Sequence, residues 1–393
     1  MNNLFETELA ILGEGVVFGP GRIAILGAEV VARAGAKARV LMVADAGVVA
    51  AGLTAAAEAS LADAGVTMRV FTDVRSDPLA AQIDGAARAA RELNADIVVG
   101  LGGGSAVDVA KMAAGVASGI APAESYALQC DPFSDGVLPI IAVPTTSGTG
   151  AEMSQAMVFT AESGAKVWTD AADLRPVLAL LDPELTYSLP APLTAATGVD
   201  ALVHAMESVT SHRTKPQTPA PALAAIRLVR QYLPTAVREP ENVEARSAMI
   251  IAAALAGRAI DSGGTTIAHA LGHALGAVGH VHHGRSVGLS LRVALPGNVE
   301  AAPGPHAEVA RAFGVAGDED AELAAALPSA YDAFLREVGL RIDVGDSGLK
   351  PEDAELLTAE AMKPENEPMR KANLRPIEQP EMLSLARVLL AAS

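Results

Sequence analysis

A single cysteine, Cys130, in 393 residues excludes an intramolecular disulfide and a thiolate-based zinc site. Standing alone, it is expected to be a small buried hydrophobe. Aromatic residues supply only 3% of a chain that is 50% hydrophobic, so its cores must be built from Ala, Val, Leu and Ile. Positive charge is also scarce: 29 Lys and Arg face 46 Asp and Glu, a formal net charge of −17. That balance argues against a nucleic-acid partner, whose phosphates need a basic face, and against an anionic membrane surface. Long apolar runs are missing too. The stretch MIIAAALAGRAI (249–260) is short and interrupted by Arg258, which suits a core helix and not a membrane span. The opening MNNLFETELAILG carries acidic residues and no basic n-region, so it does not resemble a signal peptide. A cytoplasmic protein acting on small molecules is the expectation. Neither a GxGxxG fingerprint nor a GxxxxGK[ST] phosphate loop occurs.

The length favours two domains. In the first half, short β-branched runs alternate with Ala-rich helical patterns. Strands are expected at 38–45, 67–73, 96–104 and 138–146, with helices at about 48–64, 78–94 and 105–118. This rhythm predicts an α/β domain with a parallel, Rossmann-like sheet covered by helices on both faces. After DPELTYSLP (182–190), long Ala/Leu segments with helical periodicity run almost to the end, which predicts an all-α domain. The expected division is 1–187 for dinucleotide binding and 188–393 for metal and substrate. Proline-rich stretches near 214–221 and 302–305 are expected to be interhelix loops.

Two loops suggest a nucleotide. Gly102, Gly103, Gly104 and Ser105 join a strand to a helix, where close backbone approach and free N–H groups favour a phosphate. Pro144, Thr145, Thr146, Ser147, Gly148, Thr149 and Gly150 follow the next buried strand. Loops at the carboxyl ends of adjacent strands converge on one crevice and point to a dinucleotide. Asp45 ends the strand VLMVAD (40–45). It can accept hydrogen bonds from a ribose and repel a 2′-phosphate, favouring NAD over NADP, or cap the helix that follows.

Five of the eight histidines lie between 269 and 283: His269, His273, His280, His282 and His283. Asp200 and His204 are four apart, one turn along the same helical face, and His269 and His273 repeat that spacing. Imidazoles and one carboxylate are a donor set for a borderline divalent metal, which in a catalytic site must leave room for a substrate oxygen.

The motifs GGGSAVDVAK, PTTSGTGAEMS, TGVDALVHAMES and HALGHALGAVGHVHHG resemble, in order and over essentially the whole chain, the group III iron-containing alcohol dehydrogenases. The resemblance implies a dehydroquinate synthase-like architecture and catalysis in a cleft between a nucleotide domain and a helical metal domain. The family's metal ligands match Asp200, His204, His269 and His283; its pattern of a His followed by Gly selects His283 over His282. His273 matches a position near the nicotinamide and is the expected proton relay. Gly102, Gly103, Gly104 and Ser105 match the pyrophosphate loop, Thr145, Thr146 and Thr149 the nucleotide-contacting loop, and Lys166 a lysine near the cofactor ribose. Ferrous iron is the implied metal, with zinc, nickel or manganese compatible with the same donors. A homodimer or larger homo-oligomer is also implied.

Departures are GTGAE in place of the common GTGSE, His282 where many members have proline, and an additional His280. The expected reaction is reversible hydride transfer between NAD(P) and an alcohol or its carbonyl, with the metal polarising the oxygen. The rivals are a maleylacetate reductase-like enoate reductase, a noncatalytic nucleotide- or metal-binding protein, and a metal-dependent hydrolase.

Overall fold

The computed structural model describes residues 4–134 and 136–391. It divides into two compact units, Met1–Thr146 with Gly150–Leu189, and Ser147–Thr149 with Pro190–Ser393.

The first unit contains eight strands among the described residues: β1 (Val16–Phe18), β2 (Arg39–Val43), β3 (Thr67–Phe71), β4 (Ile97–Gly102), β5 (Ile140–Pro144), β6 (Ala156–Thr160), β7 (Lys166–Asp170) and β8 (Leu178–Leu181). Its helices are α1 (Glu6–Leu12), α2 (Leu26–Ala34), α3 (Ala46–Ala50), α4 (Ala55–Asp63), α5 (Ala80–Leu93) and α6 (Gly104–Ser118). Six strands form one sheet in the order β1-β8-β5-β4-β2-β3, and every pairing in it is parallel. The continuous apolar runs of β4 and β5 follow from this, because both faces of those strands are buried under helices.

The expected strands at β2, β3, β4 and β5 are present. The expected helix at 48–64 is instead two short helices, because Gly52 takes φ +74° and turns the chain between α3 and α4. The antiparallel pair β6–β7 and the short strands β1 and β8 were not anticipated. Cys130 is exposed, contrary to expectation. It follows a 3₁₀ segment between α6 and β5 whose Ala123 and Tyr126 are buried in the core, while Cys130 itself lies outside that core.

The second unit is helical: α7 (Ala191–Val209), α8 (Pro219–Arg238), α9 (Val243–Gly263), α10 (Ile267–Gly279), α11 (His283–Ala301), α12 (Pro303–Ala312), α13 (Asp320–Glu337), α14 (Ala354–Ala361), α15 (Glu367–Ala372) and α16 (Gln379–Ala391). Every residue of α7 from Thr194 to Val209 is buried, because α8, α9 and α11 surround it. Its small side chains (Ala195, Ala196, Gly198, Ala201, Ala205) let those neighbours come close. A further apolar core joins α10 and α11 to α14 and α16 through residues such as Leu271, Leu275, Leu357 and Leu389. Of the two proline-rich stretches, 214–218 lies in the loop between α7 and α8 as expected, whereas 219–221 and 303–305 are helical. Pro219 and Pro303 open α8 and α12, because the first helical position needs no N–H and suits the fixed φ of proline.

Candidate metal centre

Asp200 and His204 lie one turn apart on α7, 2% and 5% exposed. His269 sits in the first turn of α10 and is 3% exposed. His283 is the first residue of α11 and half-buried. Each of the four offers one donor atom, and these atoms all lie within 4.8 Å of one another. Asp200 Oδ1 is 3.5 Å from His283 Nε2 and 3.9 Å from His204 Nε2. The rings of His204 and His269 stack with centroids 4.6 Å apart.

Among the described residues, Asp200 Oδ1 and His269 Nε2 are buried without a hydrogen-bond partner. Each such atom costs about 1–3 kcal/mol in a dry interior. Unpartnered donors of these types concentrated at one point fit a bound divalent ion, which would offset that cost. Burial holds the His204 imidazole below its ordinary pKa, although Asp200 pulls the other way. The ring is therefore neutral, the form that binds a metal.

Beneath the four lies Glu207, which was not singled out from the sequence. It is 1% exposed. Its Oε2 lies 2.6 Å from His269 Nδ1, and its two oxygens accept hydrogen bonds from Thr266 N at 3.0 Å, Thr266 Oγ1 at 2.6 Å and Ala268 N at 2.6 Å. Burial alone would raise its pKa, but His269 and the Thr266 bonds outweigh it and hold the carboxyl below the usual range. The spacing 200, 204, 207 places all three side chains on one helical face, and that was the available signal.

His273 is half-buried, its ring centroid 6.0 Å from that of His269 and 5.4 Å from that of His283. His280, with φ +50°, ends α10, and His282 precedes α11; both are exposed and neither belongs to the four-residue cluster.

In the first unit, the register pairs Gly102 with Pro144, so the glycine and threonine loops leave adjacent strands side by side. Thr145 N donates to Gly102 O at 2.9 Å. A Cβ on Gly103 would lie 3.5 Å from Thr146 Cγ2, and one on Gly102 would lie 2.7 Å from the Ala106 Cβ. Gly104 and Ser105 start α6, and its N-cap residue, Gly103, has no side chain with which to cap it. Asp45 does cap α3, accepting from Val48 N at 3.0 Å. Its other oxygen faces the glycine turn, 3.4 Å from where a Cβ on Gly102 would be. Thr149 falls in the second unit. Lys166, on β7, pairs with Asp77 at 2.6 Å.

Behind the threonine loop, Lys111 is fully buried and donates to Ala151 O and Ser154 O at 3.0 and 3.2 Å. Glu152 is buried alongside, and desolvation pushes its carboxyl up to about 7 against the opposing pull of Lys111. Below pH 4.5 both the native and unfolded chains hold this proton. Between 4.5 and about 7 only the native chain keeps it, so stability falls as pH rises, by about 3 kcal/mol across that window. Glu152→Gln should remove this part of the slope. Urea unfolding at pH 5 and pH 8 checks it, and parallel profiles for the two proteins would refute it.

Two family models match this chain. "Iron-containing alcohol dehydrogenase" matches residues 14–183, and the C-terminal model of the Fe-containing alcohol dehydrogenase family matches 194–390. The NAD-dependent methanol dehydrogenase of Bacillus methanolicus is 32% identical over 92% of this chain and 94% of its own length. The alcohol dehydrogenase from Oenococcus oeni superposes with a TM-score of 0.89 at 30% identity, covering 96% of this chain and 98% of that one. Sulfoacetaldehyde reductase from Bifidobacterium kashiwanohense, in complex with NAD+, gives 0.86 at 30% identity, covering 96% and 97%.

Proposed function

This chain belongs to the iron-containing alcohol dehydrogenase family, and on that premise we propose which of its residues hold metal and cofactor. It is a metal-dependent oxidoreductase that moves a hydride between NAD(P) and an alcohol or its carbonyl. In our reading Asp200, His204, His269 and His283 hold the metal, and the metal is ferrous iron. The convergence of four donor atoms within 4.8 Å carries this reading. A mixed carboxylate–imidazole set with no thiolate suits that ion, and zinc fits the same donors.

When bound, the ion supplies a Lewis acid for the substrate oxygen and the nicotinamide supplies the hydride acceptor. The chain's own residues do the rest. His273, beside the cluster and half-buried, takes the hydroxyl proton as the C–H hydride leaves, and returns it in the reverse direction. Gly102, Gly103, Gly104 and Ser105 admit the pyrophosphate against the start of α6, whose N-cap residue is a glycine. Thr145, Thr146 and Thr149 take the nucleotide. Asp45 accepts from the ribose and disfavours a 2′-phosphate, which makes NAD the cofactor. Lys166 joins the ribose side by family resemblance alone, and Asp77 competes for its ammonium.

The two functional domains are 1–187 for the dinucleotide and 188–393 for metal and substrate. The reading extends to a cytoplasmic homodimer or larger homo-oligomer, which cell fractionation and sedimentation test.

The deciding assay uses protein purified anaerobically and loaded with ferrous iron. NADH formation from a panel of alcohols should disappear on chelation, return with the metal, and exceed the rate with NADP. Turnover that survives complete removal of metal would overturn the assignment.

A further inference from the structure

We propose that Glu207 is a positioning residue that fixes the proton of His269 on Nδ1 and so presents an unprotonated Nε2 to the cation. This rests on the reading of the cluster as a metal centre. The donors around the carboxylate make the argument. Thr266 N and Ala268 N can only donate, and the Thr266 hydroxyl donates at 2.6 Å. Surrounded in this way, the carboxylate carries no proton of its own, so the 2.6 Å contact with His269 Nδ1 needs the proton on the ring. A neutral imidazole has one N–H. With that proton on Nδ1, Nε2 is left with a lone pair, and Nε2 is the buried ring atom that lacks a hydrogen-bond partner.

The same carboxylate also fixes where the ring sits. Thr266 does not cap its own helix through its side chain. Glu207 reaches across from α7 and takes the N–H groups at the start of α10, a place that favours negative charge. Ring position and ring tautomer are thereby held by one group, and that group lies on the helix that carries Asp200 and His204. Carboxylates behind metal-bound imidazoles act in this manner, and their loss weakens metal affinity about 10–100-fold.

Glu207→Gln separates this role from simple packing. Whichever way the amide turns, its NH2 meets one backbone N–H. The orientation that avoids the 2.6 Å contact with Ala268 N puts the NH2 against Nδ1, which must then accept. The ring proton moves to Nε2, where it blocks a cation.

The experiment is ¹⁵N NMR of histidine-labelled, metal-free protein at mildly alkaline pH, with Zn²⁺ titration of the same samples. Wild type should show His269 as the Nδ1–H tautomer. Glu207→Gln should show Nε2–H and bind Zn²⁺ about 10–100-fold more weakly. Glu207→Asp, which restores a carboxylate, should return the Nδ1–H tautomer and part of the affinity. A wild-type ring protonated on Nε2 overturns the proposal, and so does a Gln variant with unchanged tautomer and unchanged affinity. A purely structural role would lower the melting temperature while leaving both readouts where they were. If wild type binds no Zn²⁺, the metal reading fails, and the tautomer measurement still decides the role of Glu207.

Discussion

His283→Ala should give a folded protein that neither retains metal nor turns over alcohol. The ring can be removed without collapse because it stands at the first position of α11 with 28% of its side chain exposed. No core cavity is left behind. The loss to the centre is far larger. One of four donors disappears, and Asp200 Oδ1 loses the imidazole 3.5 Å away. Removing even a group that only supports a ligand weakens metal affinity about 10–100-fold, so deleting a ligand should exceed about 100-fold. In the proposed reaction the ion stabilises charge on the substrate oxygen, so the rate should fall by at least as much. Metal content after desalting, circular dichroism and NADH formation together measure this. A variant that is folded, free of metal and still active would refute the assignment of His283.

Gly284→Ala should damage the same centre without touching a ligand. A Cβ at this position would lie 2.1 Å from Ala196 O and 2.8 Å from Ala196 C. Both are backbone atoms of α7, so neither can rotate away. The start of α11 must withdraw from α7 by roughly 1 Å, because packed interiors have no slack to absorb the overlap. Overpacking of this kind costs about 1–3 kcal/mol. The withdrawal also separates His283 on α11 from Asp200 on α7, whose own Cβ would be 3.2 Å from the new methyl. Metal retention should therefore fall together with stability. Gly304→Ala is the control: it lies in α12 and a Cβ there meets nothing within 4 Å. Equal metal retention in the two variants would show that the α7–α11 approach is not what holds the centre together.

The strands at the heart of the first unit were legible because β2, β4 and β5 are short, almost wholly buried runs rich in Val, Ile and Leu. β1 and β8 were not, since three or four residues carry too little pattern and are made into strands by their neighbours in the sheet. The β6–β7 pair was missed for a related reason: its pairing depends on a turn bringing Ala156 opposite Asp170. At α3 and α4 the composition suggested one helix, and one glycine in a left-handed conformation divided it.

By itself the sequence determined the fold class and the kind of site, because periodicity and ligand chemistry are local properties. A repeat of about 3.6 residues marks a helix wherever it occurs. An Asp-x-x-x-His or His-x-x-x-His spacing puts two side chains on one face before any partner helix is known. Only the tertiary structure decided how those faces meet. It brought donors from α7, α10 and α11 to one point, placed His273 beside the cluster, and turned Asp45 both to the start of α3 and toward Gly102. It also exposed what spacing cannot express. Glu207 meets four groups of three residues roughly sixty positions away in the chain, and Gly284 matters because another helix's carbonyl lies where its side chain would be. Hydrogen bonds and excluded volume act over a few ångströms of space, whatever the distance along the chain.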